Sequence, residues 1–228
     1  MHRASLVLFL LCTLTLSGCW SGSTKEIAAT VLSLRGQVNC SPKESTDFRA
    51  VDSKSKIGSG VTVRTSSDAQ CDLSLIPGTL ARLSGDSELK IKELRITKDG
   101  DETGDAMRER VARIELTRGG MIVLFEGFGR FTIKTRNATL NVLPSCVFRL
   151  DVDQSRTRVT CIRGKLYLSP QEQDPVTISG GQFRELPSTN GAMSVTEDRQ
   201  AQADTTATLQ AARELQELDA AQRDRLPF

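Results

Sequence analysis

The chain holds one histidine, His2, among 228 residues, and only 4% of its residues are aromatic. His2 lies in what is expected to be a leader removed on export, and on that expectation Ser-His, Cys-His and His-metal chemistry are excluded. Scarce aromatics exclude the stacking platforms that single-stranded nucleic acid requires. A formal net charge of +2 supplies no dense basic face to displace counterions, so nucleic acid is not an expected partner. No Cys-x-x-Cys pair and no Gly-Lys-Ser/Thr phosphate loop occurs, and Gly127–Thr132 lacks the third glycine of a dinucleotide loop. These absences predict a chain that is not an enzyme, with no cofactor, no resident metal and no small-molecule substrate.

The N-terminus carries the most specific signal. Met1–Arg3 is a short positive segment and Ala4–Leu16 an apolar run too short to span a bilayer comfortably. Leu16-Ser17-Gly18-Cys19 then resembles a bacterial lipobox. The expectation is a lipoprotein signal peptide over 1–18, cleavage between Gly18 and Cys19, and acylation of the Cys19 thiol. Several buried acyl chains make a stable anchor where one is marginal. Residues 19–26 read as a tether. The expected location is the cell envelope, lipid-anchored on the periplasmic side of the outer membrane or on the cell surface.

Between residues 27 and 187 apolar and polar residues alternate in short runs, as in Val61-Thr62-Val63, Leu89-Lys90-Ile91 and Phe148-Arg149-Leu150. Period two marks half-buried strands. Glycine-bearing turns such as Gly58-Ser59-Gly60, Pro77-Gly78 and Gly180-Gly181 separate them. The predicted fold is all-β: a β-roll, a β-solenoid or a sandwich of short stacked strands. A unit recurs in Leu34-Arg35-Gly36-Gln37-Val38, Thr117-Arg118-Gly119-Gly120-Met121 and Ile162-Arg163-Gly164-Lys165-Leu166, each joining two strands through Arg-Gly. A longer echo links Val61–Thr65 to Phe131–Thr135, each followed by a cysteine-bearing strand. The glycine of each Arg-Gly is expected to supply a positive-φ corner.

These residues resemble a FecR domain. Ile57–Thr65, Ala69–Leu75 and Pro77–Leu80 are similar to its first half, a glycine before a strand ending in Thr and then a hairpin. Leu116–Val123, Phe131–Thr135, Arg158–Leu168 and Ile178–Gln182 are similar to the later steps, and the resemblance covers roughly 28–187. One departure stands out: where the family usually has Gly-Thr before its Phe-x-Val strand, this chain has Ser145-Cys146. The resemblance implies an envelope-side module that binds protein. Family members also carry a cytoplasmic sigma-controlling segment and a membrane helix, which this sequence is not expected to share, so direct sigma control is not carried over.

Export agrees with an even set of cysteines, Cys40, Cys71, Cys146 and Cys161, whose strand parity places all four on the core face. If Val152 and Thr157 close a hairpin, Phe148 faces Cys161 and Cys146 lies diagonally across. Cys146–Cys161 and Cys40–Cys71 are then the expected disulfides; the alternative is four buried free thiols packing as small hydrophobes. Asp99, Asp101, Thr103 and Asp105 stand like the first ligands of a calcium loop, but Arg110 occupies the twelfth position, so an acidic excursion between strands is the preferred reading. Residues 188–228 form a polar tail with a helix expected over 204–224, its narrow apolar stripe Leu209, Ala212, Leu215 and Leu218. A frayed tail is preferred slightly over a docked one. Function is expected to be protein binding or signalling in the envelope, with another envelope protein as partner. The alternatives are a cell-wall or carbohydrate-binding lipoprotein and a structural surface protein.

Overall fold

The structure, a computed structural model, describes residues 23–42, 45–98, 107–171, 173–188 and 190–224. Cys19, Gly18 and the Asp99–Asp105 segment lie outside the described residues.

Two twisted sheets stack face to face. The first runs β4 (Arg49–Ala50), β3 (Val38–Ser41), β6 (Thr62–Thr65), β9 (Glu88–Lys98), β10 (Met107–Phe125), β11 (Arg130–Lys134), β12 (Ala138–Val142), β15 (Lys165–Pro170), β16 (Val176–Ser179). A further strand, β1 (Ser23–Glu26), pairs with the far end of β9. The expected tether is therefore strand by Ser23, since its backbone finds partners on β9. The second sheet runs β5 (Lys56–Ile57), β2 (Ala29–Arg35), β7 (Gln70–Ile76), β8 (Thr79–Leu83), the distal half of β10, β13 (Cys146–Val152), β14 (Thr157–Arg163), β17 (Gln182–Leu186), β18 (Met193–Ser194). Neighbours are antiparallel except β10 and β11.

The core lies between the sheets and is built by the alternation read from the sequence. Leu89, Ile91, Ile114, Phe131, Ile133 and Leu140 of the first sheet meet Leu73, Leu83, Val123, Phe125, Phe148 and Leu150 of the second. Each such side chain contributes roughly 1.5–3 kcal/mol on burial. Phe125 and Phe131 pack edge to face with ring centroids 5.7 Å apart.

The three Arg-Gly units are the places where the chain passes between sheets. Gly36 links β2 to β3, Gly119 bends β10 from the first sheet into the second, and Gly164 links β14 to β15, with φ of 69°, 89° and 85°. Space is as restricted as conformation. A Cβ on Gly119 would lie 2.3 Å from Ser87 Oγ, and one on Gly164 2.6 Å from the Ser145 carbonyl oxygen. The longer echo is structural too. Buried Thr65 donates to the Ser84 carbonyl at 2.6 Å and accepts from the Ser87 amide at 2.9 Å. Buried Thr135 likewise accepts from the Ala138 amide at 3.1 Å. Each strand-ending threonine fastens a turn.

After a 3-10 turn at Val195–Glu197 the chain enters α1 (Arg199–Arg223). The helix starts five residues before the expected 204 because Asp198 caps it, accepting from the Ala201 amide at 2.7 Å. It is not a frayed tail: it docks on the outer face of the second sheet, against β13, β14, β10, β2 and β8. No described helix is long and apolar enough to cross a membrane.

Candidate interaction surfaces

The outer face of the second sheet is closed by α1, and the seam is mostly polar. The helix buries Ala201, Asp204, Thr208, Ala211, Ala212 and Leu215. Leu215 and Ala212 meet Leu80, Leu124 and Val147 of the sheet. The expected stripe is corrected in part, because Leu209 is 42% exposed. Only one large apolar side chain is buried from the helix, worth about 2 kcal/mol, so charge sets where the helix sits.

Three strand arginines receive it. Arg82 of β8 holds Asp72 with Nε–Oδ1 and Nη2–Oδ2 distances of 2.8 and 3.0 Å, and reaches Glu214 of the helix at 2.6 Å. Arg149 of β13 grips Asp151 through two bonds of 2.7 and 2.8 Å and lies 3.8 Å from Asp204. Arg158 of β14 donates to Asp198 at 2.6 Å and Glu185 at 3.3 Å, and its guanidinium covers the Phe183 ring at 4.6 Å. The Ala201 amide, followed by Arg158, holds the Asp198 carboxyl below its ordinary value. Arg82, with Gln210 assisting, does the same for Glu214.

Asp72 and Asp204 are buried, because each faces an arginine from a neighbouring strand or element. Pairings of this kind follow from register and docking, so local sequence gave no signal for them. A cleft of about 520 Å³ opens beside Asp204, lined also by Arg149, Asp151, Asp153, Arg156 and Arg158. Each of its guanidiniums faces a carboxylate, Arg156 meeting Asp153 at 3.3 Å. The cleft is thus a neutralised seam rather than a set of acids poised for catalysis.

The outer face of the first sheet is open among the described residues. Its β9–β10 end carries a ladder of ion pairs: Arg64–Glu88 at 2.8 Å, Lys92–Glu115 at 2.6 Å, Arg113–Glu93 at 3.0 Å, and Arg130–Glu109. Here opposite charges alternate on a solvated face. Beyond the ladder one row crosses four strands in register: Thr132, Asn141, Tyr167, Thr177. Thr132 bonds Asn141 at 3.2 Å, and Tyr167 is 43% exposed.

The four cysteines are free thiols in this structure, so neither expected bridge is present. Cys40 sits on β3 of the first sheet and Cys71 on β7 of the second. Burial, then the neighbouring Asp72 charge, pushes the Cys71 thiol up to about 12, and no thiol partner contributes. The register expected for the other pair is found: Val152 faces Thr157 and Phe148 faces Cys161. The neighbouring thiol acts on both Cys146 and Cys161. It pushes Cys146 up, with burial adding to this, and draws Cys161 down.

Among known proteins, residues 61–167 match the family described as FecR protein. Two crystal structures of a candidate anti-sigma factor from Parabacteroides distasonis are also similar, at 17% identity and a TM-score of 0.44. The matched region covers 58% of this chain and 59% of that one. No curated protein matches the chain.

Proposed function

From the FecR domain that this chain carries, we propose that it is a non-catalytic envelope lipoprotein whose β-domain binds another envelope protein in a regulatory or signalling role. Acylated Cys19 would hold it to the membrane on the periplasmic side, with Ser23 only four residues away. The observation that carries the binding reading is the inequality of the two outer faces. One is closed by α1, whereas the other offers a flat row of neutral hydrogen-bonding side chains around exposed Tyr167, flanked by ion pairs. Exposed tyrosine amid polar groups is the composition that protein interfaces favour. Sugar binding is supported less, because aromatic pairs along one face are wanting among the described residues.

The test is photo-crosslinking in intact envelopes with the reactive group at position 167, and with position 209 on the helix as control. One dominant protein adduct specific to position 167 is the expected result. Adducts with peptidoglycan alone would replace the reading with cell-wall binding. Metabolic labelling with a palmitate analogue, lost in Cys19→Ser, tests the anchor separately.

A further inference from the structure

We propose that the outer face of β11, β12, β15 and β16 docks an acidic protein surface, whose carboxylates meet Lys134 and Lys165 on either side of Tyr167. The proposal deepens the binding role given above and rests on it. The first observation is a segregation of charge. The chain holds 28 acidic residues, yet these four strands, Arg130–Lys134, Ala138–Val142, Lys165–Pro170 and Val176–Ser179, contain none. On the same sheet β9 and β10 carry Glu88, Glu93, Glu109 and Glu115, each already held by an arginine or a lysine. Arg130 is spent on Glu109. Lys134 stands in register with Glu115, but Lys92 occupies that carboxylate at 2.6 Å. Lys134 and Lys165 are both exposed, and neither has a carboxylate within ion-pair distance among the described residues.

The second observation is that the groups between the two lysines are donors. Thr132 donates to Asn141 Oδ1 at 3.2 Å, which leaves the amide N–H groups of exposed Asn141 to meet a partner. The Tyr167 and Thr177 hydroxyls continue the same row, with no side-chain hydrogen bond among the described residues. Carboxylate and carbonyl oxygens only accept, so an acidic protein face satisfies the ammonium groups and the row between them together. Register sets the spacing. Lys165 is two residues from Tyr167 along β15, about 7 Å, and Lys134 lies on its other side, two strands and two residues away, about 12 Å. Two cations so far apart do not suit a bilayer, which recruits clusters of roughly four to eight Lys or Arg, or the apolar face of a helix.

Carbodiimide joins a lysine amine to a carboxylate in direct contact, with loss of water. Intact envelopes carrying the chain with Tyr167 in place are treated with it, beside the photo-crosslink at position 167, and the coupled peptides are sequenced by mass spectrometry. Lys134 and Lys165 are expected to be joined to Asp or Glu side chains of the protein that forms the 167 adduct. Lys134→Glu/Lys165→Glu should lower the yield of that adduct about tenfold, whereas Lys134→Arg/Lys165→Arg should keep it. Both lysines are exposed, so both variants should melt with the parent chain. A protein adduct at 167 that persists in the Glu variant, with neither lysine coupled, overturns the acidic partner and leaves the binding role standing. Coupling of the lysines to peptidoglycan carboxylates or to lipid overturns it as well. Loss of every protein adduct at 167 overturns the binding role and the proposal with it.

Discussion

One oxygen of Asp198 serves two partners: Oδ1 accepts from the Ala201 amide at 2.7 Å and from the Arg158 guanidinium at 2.6 Å. The residue that starts the helix is thereby also the residue that fastens it to strand β14. Replacing Asp198 with Ala removes the cap and leaves Arg158 with Glu185 as its nearest carboxylate. The expected loss is about 1–2 kcal/mol, of which the cap is roughly half. Hydrogen exchange should accelerate at the amides of 199–202 while those of β13 and β14 keep their protection.

Acid should release the same helix. The Asp198 and Glu214 carboxyls both sit below their ordinary values of 3.8 and 4.5 in the folded chain. A group whose folded pKa is depressed adds stability that is fully present above the unfolded value and disappears as pH falls through the folded one. Stability is therefore expected to be flat from neutrality down to about pH 5 and to decline below about pH 4.5. Both groups are partly exposed, which keeps the effect modest and salt-sensitive. A pH titration of helix protection by hydrogen exchange checks this, and an unchanged pattern at pH 3 would contradict it.

Arg82 joins a fully buried carboxylate to an exposed one, with side-chain exposures of 0% at Asp72 and 44% at Glu214. Arg82→Met should cost about 3–5 kcal/mol, because Asp72 is left charged in the protein with only Ser33 and Gln70 beside it. Adding Asp72→Leu should recover most of that loss, since removing both charges also removes the desolvation cost. Glu214→Gln should cost under about 1 kcal/mol. Denaturant melts of the three variants rank the terms.

Two glycines with similar backbone angles separate strain from crowding. Gly164 has φ 85° and Gly181 φ 81°, but a Cβ at 181 meets nothing within 4 Å, whereas at 164 it runs into Ser145 and Cys146. Gly181→Ala should cost about 1 kcal/mol, the left-handed conformation alone. Gly164→Ala should cost at least about twice as much, and thermal melts that place the two together would contradict the packing at the corner.

The Ser145 position, where FecR domains usually have glycine, adopts φ 60°. A non-glycine residue thus occupies a left-handed turn position under strain. Ser145→Gly is expected to stabilise the protein by about 0.5–1 kcal/mol and raise Tm by a few degrees. Its side chain is exposed, so little is lost by removing it.

Much of this architecture was legible from residue order. Period-two alternation identified the strands, and a strand's two faces are decided by parity before any tertiary contact exists. The Arg-Gly corners and the Val152/Thr157 hairpin register could be read because glycine, β-branched residues and turn residues act locally. A helix near the C-terminus was legible too, but its docking was not. Its buried face is Ala, Thr and Asp around Leu215, which by itself reads as a solvated surface.

Alternation and local turn chemistry by themselves determined that the chain forms stacked β-ribbons with left-handed corners between them. Only the tertiary structure decided that α1 lies on the second sheet, that Asp72 and Asp204 are buried, and that the Tyr167 face stays open. The physical reason is range: an arginine on one strand can offset the burial of a carboxylate on another element only after register and docking have set them within ion-pair distance.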